Sequence, residues 1–167
     1  MAENRKSMHP VHRSNCPINL AVEVLGDRWT LLVLRDLMFS DRRHFRALLE
    51  GSVEGISPSV LSDRLHSLVA SGLLVRESCE EHRQKAMFRL TPAGADLVPV
   101  IAALGAWAAK HCDPDPELCD ATMALEQGGE EAFYAFKERL LAEASAPQAA
   151  PAEAEKMTKA DTDVPTA

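Results

Sequence analysis

Ser59, Ser62, Asp63 and His66 recur at the three-and-four spacing of one helix face, while Leu61, Leu65 and Leu68 fall on the opposite face. Two short hydroxyls, a carboxylate and an imidazole on one outward face suit close hydrogen bonding. Small side chains let a helix approach base edges, and Asp63 could accept a hydrogen bond from a cytosine amino group. Two groups of cations flank this segment: Arg42, Arg43 and Arg46 before it, and Arg83, Lys85 and Arg89 after it. Cations so placed could meet phosphates on either side of a groove. Glu80 and Glu81 beside the second group weaken its charge. Solvated faces and turns produce similar patterns, so the elements around these residues have to decide between the readings.

Those elements follow from periodicity and capping. Pro17 opens a helix whose Ile18, Ala21, Val22 and Leu25 share a face, and Gly26 ends it. Asp27 is the expected N-cap of a second helix that buries Trp29, Leu32, Val33 and Leu37, followed by a turn over Ser40-Asp41-Arg42-Arg43. A short third helix carries Phe45, Leu48 and Leu49. Ser57 as N-cap, with Pro58 at the first helical position, starts a fourth helix that runs to Ser71 and holds the four polar residues. After Gly72 the pattern becomes extended: Leu73 to Cys79 and Ala86 to Leu90 read as a hairpin whose charged tip is residues 80–85. Thr91-Pro92 caps a long helix with Leu97, Val100, Ile101, Leu104 and Trp107 as an apolar stripe wider than a small core needs. Beyond Asp113-Pro114-Asp115-Pro116, two amphipathic segments are expected, one with Leu118, Thr122 and Leu125, the other with Phe133, Phe136 and Leu140, separated by Gly128-Gly129.

The expected fold class is mainly α with a small β-hairpin, a dimeric winged helix-turn-helix, because helices joined by a tight turn and followed by a hairpin and a long helix match that arrangement. The expected organisation is a flexible arm over 1–13, a DNA-binding and dimerisation domain over 14–111, additional amphipathic helices over 112–144 and a disordered tail over 145–167. A dimer is expected through Ile18 and Val22 of the first helix and Leu97, Ile101, Leu104 and Trp107 of the long one, since that surface needs a cover. A net charge of −7 does not oppose a nucleic-acid partner, because residues 14–111 hold eleven bases and eleven acids while residues 112–167 hold four and thirteen.

Cys16 precedes Pro17 and so falls at an N-cap, where free amides and the helix dipole favour a thiolate, with Arg13 close in sequence. It is a candidate oxidant or electrophile sensor. The competing reading has Cys16 packing as a small apolar residue, with a small-molecule effector bound between the dimer core and the DNA-binding lobes. The other cysteines, Cys79, Cys112 and Cys119, form no disulfide framework and are read as reduced thiols. No strong metal-ligand spacing or glycine-rich phosphate loop occurs, and His111, Cys112 and Cys119 are a weak set; no enzyme, metal or cofactor is expected. No membrane span or leader is read, so a cytoplasmic protein is expected.

The motifs also carry a resemblance. Cys16-Pro17, Gly26-Asp27-Arg28-Trp29, His44-Phe45-Arg46-Ala47-Leu48, Gly55-Ile56-Ser57, Leu61 to Leu65, Ser71-Gly72-Leu73-Leu74 and Leu90-Thr91-Pro92-Ala93-Gly94 together resemble the HxlR-type winged helix-turn-helix regulators. The resemblance runs from Cys16 to about His111. It implies a prokaryotic regulator that binds an inverted-repeat operator in double-stranded DNA as a homodimer, with the first and last helices of the domain at the interface. It also implies that a cysteine at the place of Cys16 can act as a redox switch. The chain departs from the family pattern in the wing, around Arg83-Gln84 and Met87-Phe88. The rival reading is a winged helix that binds only protein, through its acidic carboxyl-terminal part.

Overall fold

Pro17, whose missing amide is harmless in a first turn, opens α1 (Pro17–Leu25). Asp27 then caps α2 (Arg28–Phe39), its Oδ1 accepting from the amides of Trp29 at 3.0 Å and Thr30 at 3.1 Å. The short α3 (Phe45–Glu50) is followed by α4 (Pro58–Ala70), where the Ser57 hydroxyl accepts from the Val60 amide. In this computed structural model the described residues are 14–40, 42–79 and 82–145. The arm expected over 1–13 and nearly all of the tail expected over 145–167 lie outside them.

Helix α4 ends in a turn built on Gly72. Gly72 has φ 73°, and the amides of Gly72 and Leu73 return to the carbonyls of Val69 and Leu68 at 3.0 Å each, closing the helix end with paired reverse bonds. The buried Leu73 then leads into β1 (Leu74–Cys79), which pairs antiparallel with β2 (His82–Leu90) from Leu74↔Leu90 to Cys79↔His82. His44 bridges to Met87 of β2, and the Phe88 amide donates to the Arg43 carbonyl at 2.7 Å. The hairpin is thus fastened to the turn that precedes α3. Because pairing extends to His82, Arg83 and Lys85 stand in a strand and not in the expected tip; their side chains lie outside the described part.

The Thr91 hydroxyl accepts from the Gly94 amide and donates to the Gly72 carbonyl at 2.7 Å, so one residue caps α5 (Pro92–Ala95) and ties it to the end of α4. The helix expected from Pro92 onward is in fact two, since α6 (Val98–His111) begins afresh after Asp96 and Leu97. By length and composition Pro92–His111 could cross a membrane, yet Val98, Ile101 and Ala102 are buried in the protein's own core.

The two segments expected after Asp113 form α7 (Pro116–Ser145), bent at Gly129, where φ 60° and ψ −147° suit glycine alone. Helix α7 packs on α6, with Leu125 and Leu140 inside the common core, Phe136 against Phe39 at 5.3 Å between ring centroids, and Lys137 paired with Asp96. Leu118, expected on the apolar face, is instead exposed. The core centres on Leu34, Leu37, Leu61, Leu65, Leu68, Leu74 and Val98. Each such burial contributes roughly 1.5–3 kcal/mol relative to exposure. On α2 the buried side turns away from the expected one: Trp29 and Leu32 are half-buried, while Thr30, Leu34 and Asp36 are buried beside Val33 and Leu37.

Candidate nucleic-acid interface

Helix α4 is held by its inner leucines, Leu61, Leu65 and Leu68, all buried. The opposite side carries Ser59, Asp63 and His66, exposed, and Ser62, half-buried. The structure therefore brings all four predicted side chains onto one surface of one helix. His66 Nδ1 lies 2.8 Å from the Ser62 carbonyl and 3.4 Å from its hydroxyl. A carbonyl only accepts, so Nδ1 is the donor in this contact. The Ser57 hydroxyl, 3.3 Å from that of Ser59, extends the polar surface to the helix N-terminus.

The arginines before α3 differ from one another. Arg42 Nη1 lies 3.6 Å from Asp36 Oδ2, and Arg43 Nη1 donates to the Leu37 carbonyl at 2.5 Å, so both reach back to α2. Arg46 extends outward with a side chain 86% exposed, and its Nε donates to Glu50 Oε1 at 2.7 Å; that hydrogen bond raises its pKa. Arg89, from the second group of cations, is turned inward with Glu77 at 2.7 Å. Sequence reasoning missed Arg35. Its guanidinium donates to Asp36 Oδ1 at 2.8 and 3.0 Å and to both oxygens of Glu54 at 2.5 and 3.0 Å, fastening the loop before α4 onto α2. Hydrogen bonding from Arg35 holds the Glu54 carboxyl below its ordinary range, and the same bond raises Arg35. It also missed Arg64, whose Nη1 lies 3.7 Å from Asp27 Oδ1. Neither contact has a local sequence signal, since both join residues far apart in the chain.

Away from α4, no residue of α1 is buried, and Ile18 is 74% exposed with Val22 beside it also exposed. On α6, Val100, Leu104 and Trp107 are exposed, Trp107 to 60%, with its ring 5.2 Å from that of His111. Ile101 corrects the expected interface set: at 7% exposure it belongs to the core of its own chain, and Leu97 is half-buried against that core. Cys16 is exposed at the N-cap of α1 with no capping bond from its side chain. Cys112 is exposed and Cys119 half-buried; the side chain of Cys79 lies outside the described part.

The sequence profile of the HxlR-like helix-turn-helix family matches residues 24–116, from the end of α1 to the start of α7. The HTH-type transcriptional regulator Rv3095 of Mycobacterium tuberculosis is 39% identical over 100 residues, which are 60% of this chain and 61% of that protein. The match thus spans about three fifths of the length of the mycobacterial relative. The HTH-type transcriptional regulator YodB of Bacillus subtilis is 31% identical over 106 residues, 63% of this chain and 93% of YodB. The reduced form of YodB superposes with a TM-score of 0.50, covering 61% of this chain and 99% of that one. The redox regulator HypR in its reduced form shares the fold, with a TM-score of 0.53 at 22% identity over 59% of this chain and 95% of HypR. With the matched segment spanning more than half of its length and holding α4, both flanking arginine groups and the hairpin, this chain belongs to the HxlR-like helix-turn-helix family.

Proposed function

We propose that the protein regulates transcription by binding double-stranded DNA as a homodimer, with α4 in the major groove. The observation that carries this reading is the division of α4 into a leucine face fixed in the core and an outward face of small polar side chains. Its relatives named transcriptional regulators support it. Ser59, Ser62, Asp63 and His66 read base edges. Arg46 meets the backbone on one side of the groove and the wing, through Arg83 and Lys85, on the other, while Arg42 and Arg43 contribute charge from positions braced by α2. Base contacts set sequence preference and phosphate contacts set affinity.

The dimer forms through α1 and the outward side of α6. An apolar helix face with no cover among the described residues supports this reading, with Ile18, Val22, Leu104 and Trp107 as its centre. A two-fold axis then relates the recognition helices, so the operator is an inverted repeat with half-site centres roughly 10 bp apart or a multiple of that. Such a regulator acts in the cytoplasm. Cys16, exposed beside the apolar face of α1, is the residue through which an oxidant could act on that dimer.

Fluorescence anisotropy on duplex DNA across a salt series tests the proposal. Affinity should fall linearly in log–log form with rising salt, because neutralised phosphates release counterions. Absence of duplex binding at low salt by a folded protein would leave the protein-only reading in its place.

A further inference from the structure

A cavity of about 340 Å³ lies behind α4, away from its outward face, between α1, the α1–α2 turn and the second half of α4. Val22, Val24 and Leu68 give it an apolar wall, and Glu23, Asp27 and Arg64 bring charge to it. The hydrogen bonding there is lopsided. Asp27 Oδ1 already accepts two backbone amides, and Glu23 accepts from Asn19 Nδ2 at 2.9 Å. Arg64, in contrast, reaches only to 3.7 Å from Asp27, and its buried Nε has no partner among the described residues. A guanidinium with donors left over in a partly apolar cleft calls for an acceptor, and a carboxylate matches its fork with two parallel bonds.

We propose that this cavity is a regulatory site for a small apolar monocarboxylate, its carboxylate on Arg64 and its hydrocarbon part against Val22, Val24 and Leu68. The volume is at the small end of ligand sites, which run from roughly 300 to 1,000 Å³. Glu23 and Asp27 oppose an anion and keep the affinity modest. The site touches both working parts of the molecule. Arg64 adjoins Asp63 on α4, and Val22 belongs to the exposed face of α1. A ligand that draws Arg64 from Asp27 loosens the brace between α4 and the start of α2. It thereby alters the spacing of two recognition helices that an operator requires at about 34 Å. The consequence for DNA rests on the regulator reading above; the ligand site itself does not.

The test is calorimetric titration of the full-length protein with benzoate and hexanoate, using benzamide as the neutral match for benzoate. At least one carboxylate should bind, and benzamide should bind about tenfold more weakly or not at all than benzoate. Arg64→Gln should weaken carboxylate binding by about tenfold, Arg64→Lys should fall between, and Glu23→Gln should tighten it. Thermal melts report whether each variant is folded, and Arg64→Lys keeps the test decisive if Arg64→Gln is not. Saturating carboxylate should weaken duplex binding by the parent and not by Arg64→Gln. No binding of either carboxylate, equal binding of benzamide and benzoate, or undiminished binding to a folded Arg64 variant overturns the site. Arg64-dependent carboxylate binding by a protein that binds no duplex upholds the site and overturns the regulator reading instead.

Discussion

Replacing Arg46 by Ala separates phosphate contact from fold more cleanly than any other change on this surface. Its side chain is 86% exposed and its one partner among the described residues is Glu50 on the same helix. Arg42 and Arg43 reach back to Asp36 and to the Leu37 carbonyl, so their removal would disturb the α2–α3 turn as well as the charge. Each phosphate contact adds about 0.9 to the slope of log affinity against log salt, and a dimer presents Arg46 twice, so the slope should fall by about 1.8. Between about 50 and 200 mM salt, a fourfold span, the parent should therefore lose roughly twelvefold more affinity than the variant. Anisotropy with an operator duplex and an unrelated duplex, each at several salt concentrations, measures both quantities, and thermal melts should coincide. Loss on both duplexes with the smaller slope is the expected outcome. An unchanged slope, or a loss confined to the operator duplex, would refute Arg46 as a phosphate contact and move it among the base-reading residues.

Four further outcomes follow from particular contacts. Leu104→Asp should give monomers by sedimentation and weaken duplex binding together; a variant that stays dimeric removes α6 from the interface. In Gly105→Ala the new methyl would stand 2.7 Å from Thr122 Oγ1 and 2.8 Å from its Cβ, which should cost about 1–3 kcal/mol in urea unfolding and be partly restored by Thr122→Ala. Unchanged stability would show that α7 does not sit against α6 as described. The Glu54 carboxyl titrates lower in the folded chain than in the unfolded one, so the unfolded chain takes up its proton first as pH falls. The stability difference between the parent and Glu54→Gln, about 1 kcal/mol or less for a part-exposed pair, should hold at neutral pH and shrink on acidification through the depressed pKa; growth on acidification would contradict it. Mild oxidation should weaken duplex binding by the parent and leave Cys16→Ser unaffected, and equal loss in both places the sensitive group elsewhere.

Caps and turns were legible because they are local. Asp27, Ser57 and Thr91 each accept from amides two or three residues on, and those contacts can be read from residue order alone. The leucine side of α4 was legible for the same reason: periodicity names the two sides of a helix, and the fuller side goes inward. What escaped depends on distance in the chain. Nothing near Arg35 announces Glu54, nineteen residues away, and nothing near Asp27 announces Arg64. The hairpin tip was drawn too wide because residues 82–85 are polar, and a polar strand looks like a loop by composition. Ile101 was placed on the wrong side because Leu97, Val100, Ile101, Leu104 and Trp107 span an arc broad enough to include the edge of the core.

That arc also explains how α7 can be added to this fold without covering the proposed dimer surface. At 100° per residue, Val98, Ile101, Ala102 and Gly105 fall on one side of α6, while Val100, Leu104 and Trp107 fall on the other. The first side meets the core at Val98, Ile101 and Ala102, and meets α7 where the missing side chain of Gly105 admits Thr122. An added helix that needed the second side would have buried Leu104 and Trp107 within the chain, yet both stay exposed. Helix α7 instead continues around the core toward α5 and β2, reaching Asp96 through Lys137 and Phe39 through Phe136. Its bend at Gly129 lets one helical segment follow both α6 and the far end of α2. Residues beyond the family segment therefore extend the core, and the side of α6 that carries Leu104 and Trp107 stays exposed, as the proposed dimer requires.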